Sequence, residues 1–592
     1  MADDTLRSRP RFGFCHGNAY GLGPSIVFLD ADLAPLSVER TDRLEKALHE
    51  VLLVPEEFWE TVDVPEDQAA RILCLTYLAI CAHWRQIIRW RAIERSDAQS
   101  RLPEEAPMRL ALPYRNAALA RALLAEIVEW LSDEPASEEQ SLETLLTKLG
   151  SSYQRHLALP VTKSIVGFTA LRLGYPIFED RFGNLVIGEG KNARTFNALH
   201  TDRTSAIGMH LCASKLRTAD RLQSAGLPTA PHRLAGSEQD AAEIAQTLGF
   251  PVVVKPADQE QGRGVANNLG TPEEVRAAWL AARKVSERIL VEKHVEGFTH
   301  RLTVVEGEVV SVVRRRPGGV FGDGTSTVAD LVVRFNAEPA QVRRSQRDGG
   351  PLLSMDREAV AMLAKRGLSG QSVIGAGEFV ALRAKDNRRA GGTNEALPLD
   401  RIHPDNLSLA THAAQSMLVD IGGIDLILGD ISASWREQES AICEVNCNPE
   451  LGLSATSAPF EKLLQRLVGA NPEHTRIPLE MYVMEGTAWS PGERPDTDDG
   501  RWYCDAAGLH CGSQFYAGPF SDGFSAARIA LANRAVDSLA MAMSAQELLQ
   551  SGLPSAWFDT IRLDDRLETG TSEKLKSMYS EHAQSWHTLR FP

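Results

Sequence analysis

The sequence predicts a multidomain protein of the α/β class, with α+β segregation between its parts. Its 592 residues exceed what one hydrophobic core organises, so roughly three or four domains are expected. Between residues 250 and 295, "FPVVVKPA", "TPEEVRAAWLAARKV" and "RILVEKHV" alternate strand-like apolar runs with helical spacing. Further on, "HRLTVVEGEVVSVVRRR" reads as two β-runs joined at Glu306-Gly307, and "FVALRA", "GGIDLILGDIS" and "SAICEVN" add strands to a second mixed sheet.

Taken in order, residues 1–155 form an N-terminal α/β domain: "SIVFLDADL" and "PMRLALPY" are strand-like, and "QAARILCLTYLAICAHWRQIIRWRAI" and "AALARALLAEIVEWL" carry helical apolar spacing. The acidic "SDEPASEEQS" is a surface loop or helix start. Residues 156–475 form the central domain, with a mobile lid expected over about 220–300, and "GLPTAPH" marks a boundary inside it. Residues 476–592 form a small C-terminal region, rich in Gly and Pro up to 525 and then helical through "FSAARIALANRAVDSLAMAMSAQELLQSG".

The totals exclude some classes of function. A net charge of −15 argues against a nucleic-acid binder that relies on bulk positive field. No apolar run reaches the ~18 to 20 residues of a membrane span, and the N-terminal "MADDTLRSRPRFGF" shows no signal-peptide core. Eight cysteines, at 15, 74, 81, 212, 443, 447, 504 and 511, include no CxxC pair. That usage fits reduced thiols in a cytoplasm rather than a disulfide framework or a zinc site.

Chemistry concentrates in "CEVNCNP", residues 443–449. Glu444 and Asn446 are two apart on a strand, so their oxygens share a face. Convergent oxygens with one negative charge suit Mg²⁺ or Mn²⁺, and a solvated face is the alternative. Asp425 lies in the buried-looking "GGIDLILGDIS", where a carboxylate is costly unless paired or metal-bound. Lys255 ends the apolar "PVVVK" and can place a point charge at phosphates. Lys215 offers a second cation, or else is a surface helix lysine. In "DQEQGRGV" the glycines Gly262 and Gly264 would let a loop of Gln261, Gly262, Arg263 and Gly264 close over phosphates. "ILVEKHVEG" has the look of a hinge whose Glu292, Lys293 and Val295 could face an adenine edge.

This order of motifs resembles the ATP-grasp ligases. The run from "RLTVVEGEVVSVVRRRPGGVFGDGTSTVADLVVRFN" through "LRAKDNRRAGGTN", "HPDN" and "GGIDLILGDIS" to "EVNCNP" is similar to the ATP-grasp half of cyanophycin synthetase and to the ligase half of bifunctional glutathione synthetases. Upstream, "TKSIVGFTALRLGYPIFED" and "IGEGKNARTFNALHTDRTSAIG" resemble the segment before that domain. The likeness covers about residues 15–475 and is most specific over 205–450. It implies an ATP-grasp fold and a two-step ligase: ATP phosphorylates a carboxylate, and an amine attacks the acyl phosphate to give an amide. It further implies metal at Asp425, Glu444 and Asn446, phosphates at Lys215 and Lys255, and charge stabilisation by Arg301 and Arg383. The "NRRAGGT" loop (Asn387, Arg388, Gly391, Gly392, Thr393) would wall the substrate. Amino acids or small peptides are the expected partners, in a homo-oligomeric enzyme.

The chain departs from that family in four places. Gln261 stands where a His is usual. Thr299 stands where an acidic ribose ligand is common, with Glu296 or His300 as possible substitutes. The substrate-side "ELGLSATS" differs, and Arg388 and Arg389 replace uncharged residues. Where cyanophycin synthetase continues into a Mur-ligase-like half with a P-loop, this chain has "VMEGTAWSPGERPD" and no G-x-x-x-x-G-K-[ST], so 476–592 reads as a remnant without its own ATP site. The favoured expectation is an ATP-dependent ligase making a single amide bond between amino acids or a peptide and an amino acid. A nucleotide-binding protein without catalysis and a homopolymer synthetase remain the alternatives.

Overall fold

Alternating apolar residues turn one face of each run in "HRLTVVEGEVVSVV" toward a core. The computed structural model folds them as a hairpin of the strands Phe298–Val305 and Glu308–Arg316. Glu306 and Gly307 at its turn both have positive φ, 45° and 78°, the two-residue geometry that matches strand twist. The structure describes residues 10–31, 35–52, 54, 56–84, 86–94, 108–133, 135, 137–157, 161–259, 263–338, 341, 353–383, 392–449, 451, 458–486, 489 and 500–589.

The hairpin belongs to a five-stranded antiparallel sheet, ordered Thr393–Leu397, Glu308–Arg316, Phe298–Val305, Ile421–Leu428, Ser440–Asn446. Helix Pro404–Ser416 covers one face, burying Leu409, Ala410 and Ala413 against Leu302, Val304, Ile424 and Leu426. Polar residues of the same strands are left on the other face, where the chemistry gathers.

A second antiparallel sheet runs Ala266–Leu269, Val252–Pro256, Ile289–Lys293, His232–Ala235, within the span expected as a lid. Its helices start where the sequence supplies caps. Ser237 accepts from the Asp240 amide ahead of Glu238–Leu248, and Thr271 accepts from the Glu274 amide ahead of Pro272–Arg283, with Pro272 in the first turn. Both helices bury alanines and Val275 against Val252, Val254 and Val291. A small sheet of Gly319–Phe321 and Phe379–Ala381 packs Val320 and Val380 with Leu331 and Leu363.

These elements fall in one compact unit, residues 199–466, and residues 1–198 together with 467–592 form another. The division differs from boundaries at 155 and 475, for a physical reason. Cys15, Leu22 and Ile26 share a single core with Met481, Met541 and Phe558, which ties the start of the chain to its last segment, while Val27, Leu29, Leu44 and Leu123 pack in another core within residues 27–149. That unit carries a seven-stranded sheet, ordered Gln514–Ala517, Gly508–Cys511, Trp502–Asp505, Leu539–Ser544, Leu479–Met484, Phe558–Asp564, Ala583–Leu589. Its last five strands in this order pair in parallel. Beyond the central strand Leu479–Met484, the Trp489 ring packs edge-on against Tyr482 and Tyr503.

The stretch expected to be helical from 524 to 552 divides into helix Gly523–Ala532, strand Leu539–Ser544 and helix Ala545–Ser551. Ala, Leu and Met favour helix, but every residue of "LAMAMS" is buried in the sheet, and tertiary packing overrides propensity. Among the described residues, no helix is long and apolar enough to cross a membrane.

Candidate functional site

Strand register builds the site. Arg301 lies directly opposite Asp425, and Asp425 directly opposite Glu444, so three charged side chains form one row across three neighbouring strands. A register irregularity between Asp425 and Leu426 accommodates Cys443, whose thiol donates to the Asp425 carbonyl at 3.4 Å. Asn446 faces Gly423 across the same pair of strands and shares the face of Glu444. Gly423 is required to be small: an added Cβ would meet Pro449 Cβ at 2.6 Å and Arg301 Cδ at 2.9 Å.

Asp425 is 2% exposed. Both oxygens of its carboxylate accept from the Arg301 fork, with Arg301 Nη2 at 2.8 Å, and Arg315 Nη1 adds a third donor at 3.2 Å. Burial alone would raise the carboxyl, but the charges of Arg301 and Arg315 outweigh it and hold Asp425 below the ordinary carboxylate range. Burial likewise disfavours the Arg301 cation, and Asp425 more than restores it.

The remaining cations enter from neighbouring segments. Lys215 opens helix Lys215–Ser224 behind its cap Ser214. Its Nζ lies 3.4 Å from Glu444 Oε1 and donates to the Gln259 carbonyl at 2.6 Å. Lys255, buried in its strand, donates to Glu292 at 2.7 Å. Burial lowers the Lys255 ammonium, and Glu292 and Cys443, with Glu444, reverse that, so it stays charged. Gly264 adopts the left-handed φ of 71° beside Pro256, and Arg263 is exposed. Val295 is buried at the end of this segment.

Other expected residues are placed differently. Arg383 does not join the Asp425 row: it donates to Asp356 at 2.9 Å and to Ser354 at 3.1 Å beside the helix Arg357–Lys365. Those partners hold its charge next to the small sheet. Lys293 donates to the Gly249 and Phe250 carbonyls at 3.0 and 2.9 Å, so its ammonium anchors a turn. His300 is 1% exposed, and burial pulls its imidazole down to about 4; Glu296 is exposed. Gly392 and Thr393 lead into the edge strand, with Thr393 opposite Arg316. Gln261, Gly262, Asn387, Arg388 and Gly391 lie outside the described residues.

Arg315 is the functional candidate that sequence reasoning missed. The signal was period-2 alternation inside "RRR": Val313 pairs with Arg301, so Arg315 shares that face, while Arg314 and Arg316 both donate to Glu395. Among the described residues, no three His, Cys, Asp or Glu side chains cluster as a metal site. The oxygen donors at hand are two carboxylates and the Asn446 amide.

Parts of the chain match known proteins. Residues 212–322 match the ATP-grasp domain family. The chain is 34% identical over 305 residues to cyanophycin synthetase of Trichormus variabilis, covering 50% of this chain and 33% of that one. It is 35% identical over 310 residues to cyanophycin synthetase of Synechocystis sp., covering 51% and 34%. The glutathione biosynthesis bifunctional protein GshAB of Desulfotalea psychrophila is 28% identical over 280 residues, covering 46% and 35%. The matched region thus spans about a third of the length of each of these relatives. Residues 212–322 match the ATP-grasp domain family, and about half of the chain is similar to cyanophycin synthetase.

Proposed function

We propose that the protein is an ATP-dependent carboxylate–amine ligase that joins amino acids, or a small peptide and an amino acid, through an acyl phosphate. The observation that carries this reading is the row Arg301–Asp425–Glu444, with Lys215 on Glu444, in the same compact unit as the ATP-grasp match of residues 212–322.

In this reading Lys215 and Lys255 hold the phosphates of ATP, each oriented by a carboxylate. Asp425, Glu444 and the Asn446 amide supply hard oxygen donors of the type Mg²⁺ takes, with phosphate oxygens completing the set. The bound metal would neutralise charge on the transferring phosphoryl group. The substrate carboxylate attacks the γ-phosphorus, the bond to the ADP oxygen breaks, and the amine then displaces phosphate from the acyl carbon. Arg301 and Arg315 converge on one side of Asp425, where N–H donors can face the oxygens that gain charge in both steps. A single bond per substrate is favoured over polymerisation.

ADP release in the presence of Mg²⁺, measured across pooled amino acids and short peptides, tests the reading, with mass spectrometry of each active pool. A product equal to two substrates minus water establishes the ligase and names its substrates. Absence of ADP from every pool, together with no heat stabilisation by Mg-ATP, refutes it.

Arg315 gives a narrower expectation. Arg315→Gln should lower turnover by ~10- to 100-fold, the scale of one charge-assisted hydrogen bond lost at the transition state. Stabilisation by Mg-ADP should stay unchanged, because the reacting phosphoryl is the group affected. Equal loss of ADP binding would assign Arg315 to architecture instead.

A further inference from the structure

A small recess, partly open to solvent, in the unit formed by residues 1–198 and 467–592 has a cation in its lining. It is lined by Asn18, Phe178, Glu189, Arg528 and Ser555 among others, with about 10 Å³ open to the centre of a water-sized sphere. That is about the least space that holds one water.

Arg528 rises from helix Gly523–Ala532, and its guanidinium lies over the Phe178 ring at 4.5 Å and the Phe524 ring at 5.2 Å. Two aromatic faces fix the group and exclude water from its flanks. Among the described residues, no carboxylate or carbonyl accepts a hydrogen bond from it. The nearby Glu189 carboxyl, 2% exposed, is already engaged: Oε1 accepts from the Ser555 hydroxyl and Oε2 from the Ile477 amide at 3.4 Å. A guanidinium has five N–H donors and no acceptor, so a half-buried one facing a cavity calls for an acceptor there.

We propose that this cavity is a binding site for a monatomic anion of chloride size, held by the Arg528 guanidinium between Phe178, Asn18 and Glu189. Glu189 is a weak competitor for the role of counter-ion. Burial pushes its carboxyl up to about 7, against the pull of Ser555, Ile477, Arg476 and Arg528. Near neutrality it therefore neutralises Arg528 only in part. A bound halide would tie the turn around Glu189, the helix Gly523–Ala532 and the segment around Ser555 into one ionic contact.

Crystals of the full chain grown in sodium bromide test the proposal through bromine anomalous scattering. A peak within contact distance of the Arg528 guanidinium is expected, and water density there instead overturns it. In parallel, heat unfolding of the full chain is compared in sodium chloride and sodium gluconate at equal ionic strength, with formate and phosphate as further arms. Chloride should raise the midpoint by roughly 2–4 °C, and Arg528→Gln should abolish the difference. Equal midpoints in chloride and gluconate overturn the site, and stabilisation by formate or phosphate without chloride overturns its halide assignment. Should Arg528→Gln fail to fold, the bromide peak decides alone.

Discussion

Asp425→Asn should abolish ligation, lowering ADP release by ~10³-fold or more, and should also destabilise the fold. The second effect follows from the partner it abandons. The Arg301 side chain is 7% exposed and that of Asp425 2%, and removing one member of a buried ion pair costs ~3–5 kcal/mol because the other charge stays buried alone. Urea unfolding measures this loss. Replacing both members, as Arg301→Met with Asp425→Leu, should recover much of the stability while leaving activity absent. Recovery of activity in the double variant would remove the pair from the reaction.

The same pair sets a pH dependence whose sign can be worked out. The folded-state carboxyl of Asp425 lies below its ordinary value, because Arg301 and Arg315 outweigh the effect of burial. Its contribution is therefore present in full above the ordinary carboxylate value of about 4 and is lost as pH falls through the depressed folded value. Asp425→Asn should lack that acid-dependent component.

Lys255→Met should remove stabilisation by Mg-ATP and lower turnover by ~10²- to 10³-fold. Methionine keeps the unbranched stem but leaves no charge for phosphate oxygens. It also strands Glu292, whose side chain is 14% exposed, so a modest loss of stability in the ligand-free protein is expected. Calorimetric titration with ATP reads the first effect and circular dichroism on heating reads the second. ATP binding equal to wild type would assign Lys255 to holding Glu292 and to nothing further.

How much of this was legible in the sequence depended on whether the signal was local. The Glu306-Gly307 turn was readable because two adjacent residues fix the hairpin geometry. Glu444 and Asn446 were readable as one face because strand periodicity is a near-neighbour property. Their place opposite Asp425 and Gly423 needed the register between strands, which no single run contains. Arg315 was hidden inside a triple arginine, where charge alone does not distinguish the residue facing Asp425 from the two holding Glu395. Arg383 was assigned to the acyl phosphate because a cation in a motif looks available, and its ion pair with Asp356 is a contact that sequence alone does not show. The strand Leu539–Ser544 was read as helix because composition carries no information about burial on both faces.

The shared core of Cys15, Leu22 and Ile26 with Met481, Met541 and Phe558 also bears on how the chain is made. At ribosomal speeds of roughly 5–20 residues per second, the first segments wait on the order of a minute before their packing partners emerge. Residues 199–466, the second compact unit, are complete only shortly before Met481 emerges. During synthesis Cys15, Leu22 and Ile26 therefore spend that interval without their partners, a natural point of engagement for chaperones, while Val27 and Leu29 of the strand Ile26–Ala31 can already pack against Leu44, Leu73 and Leu123.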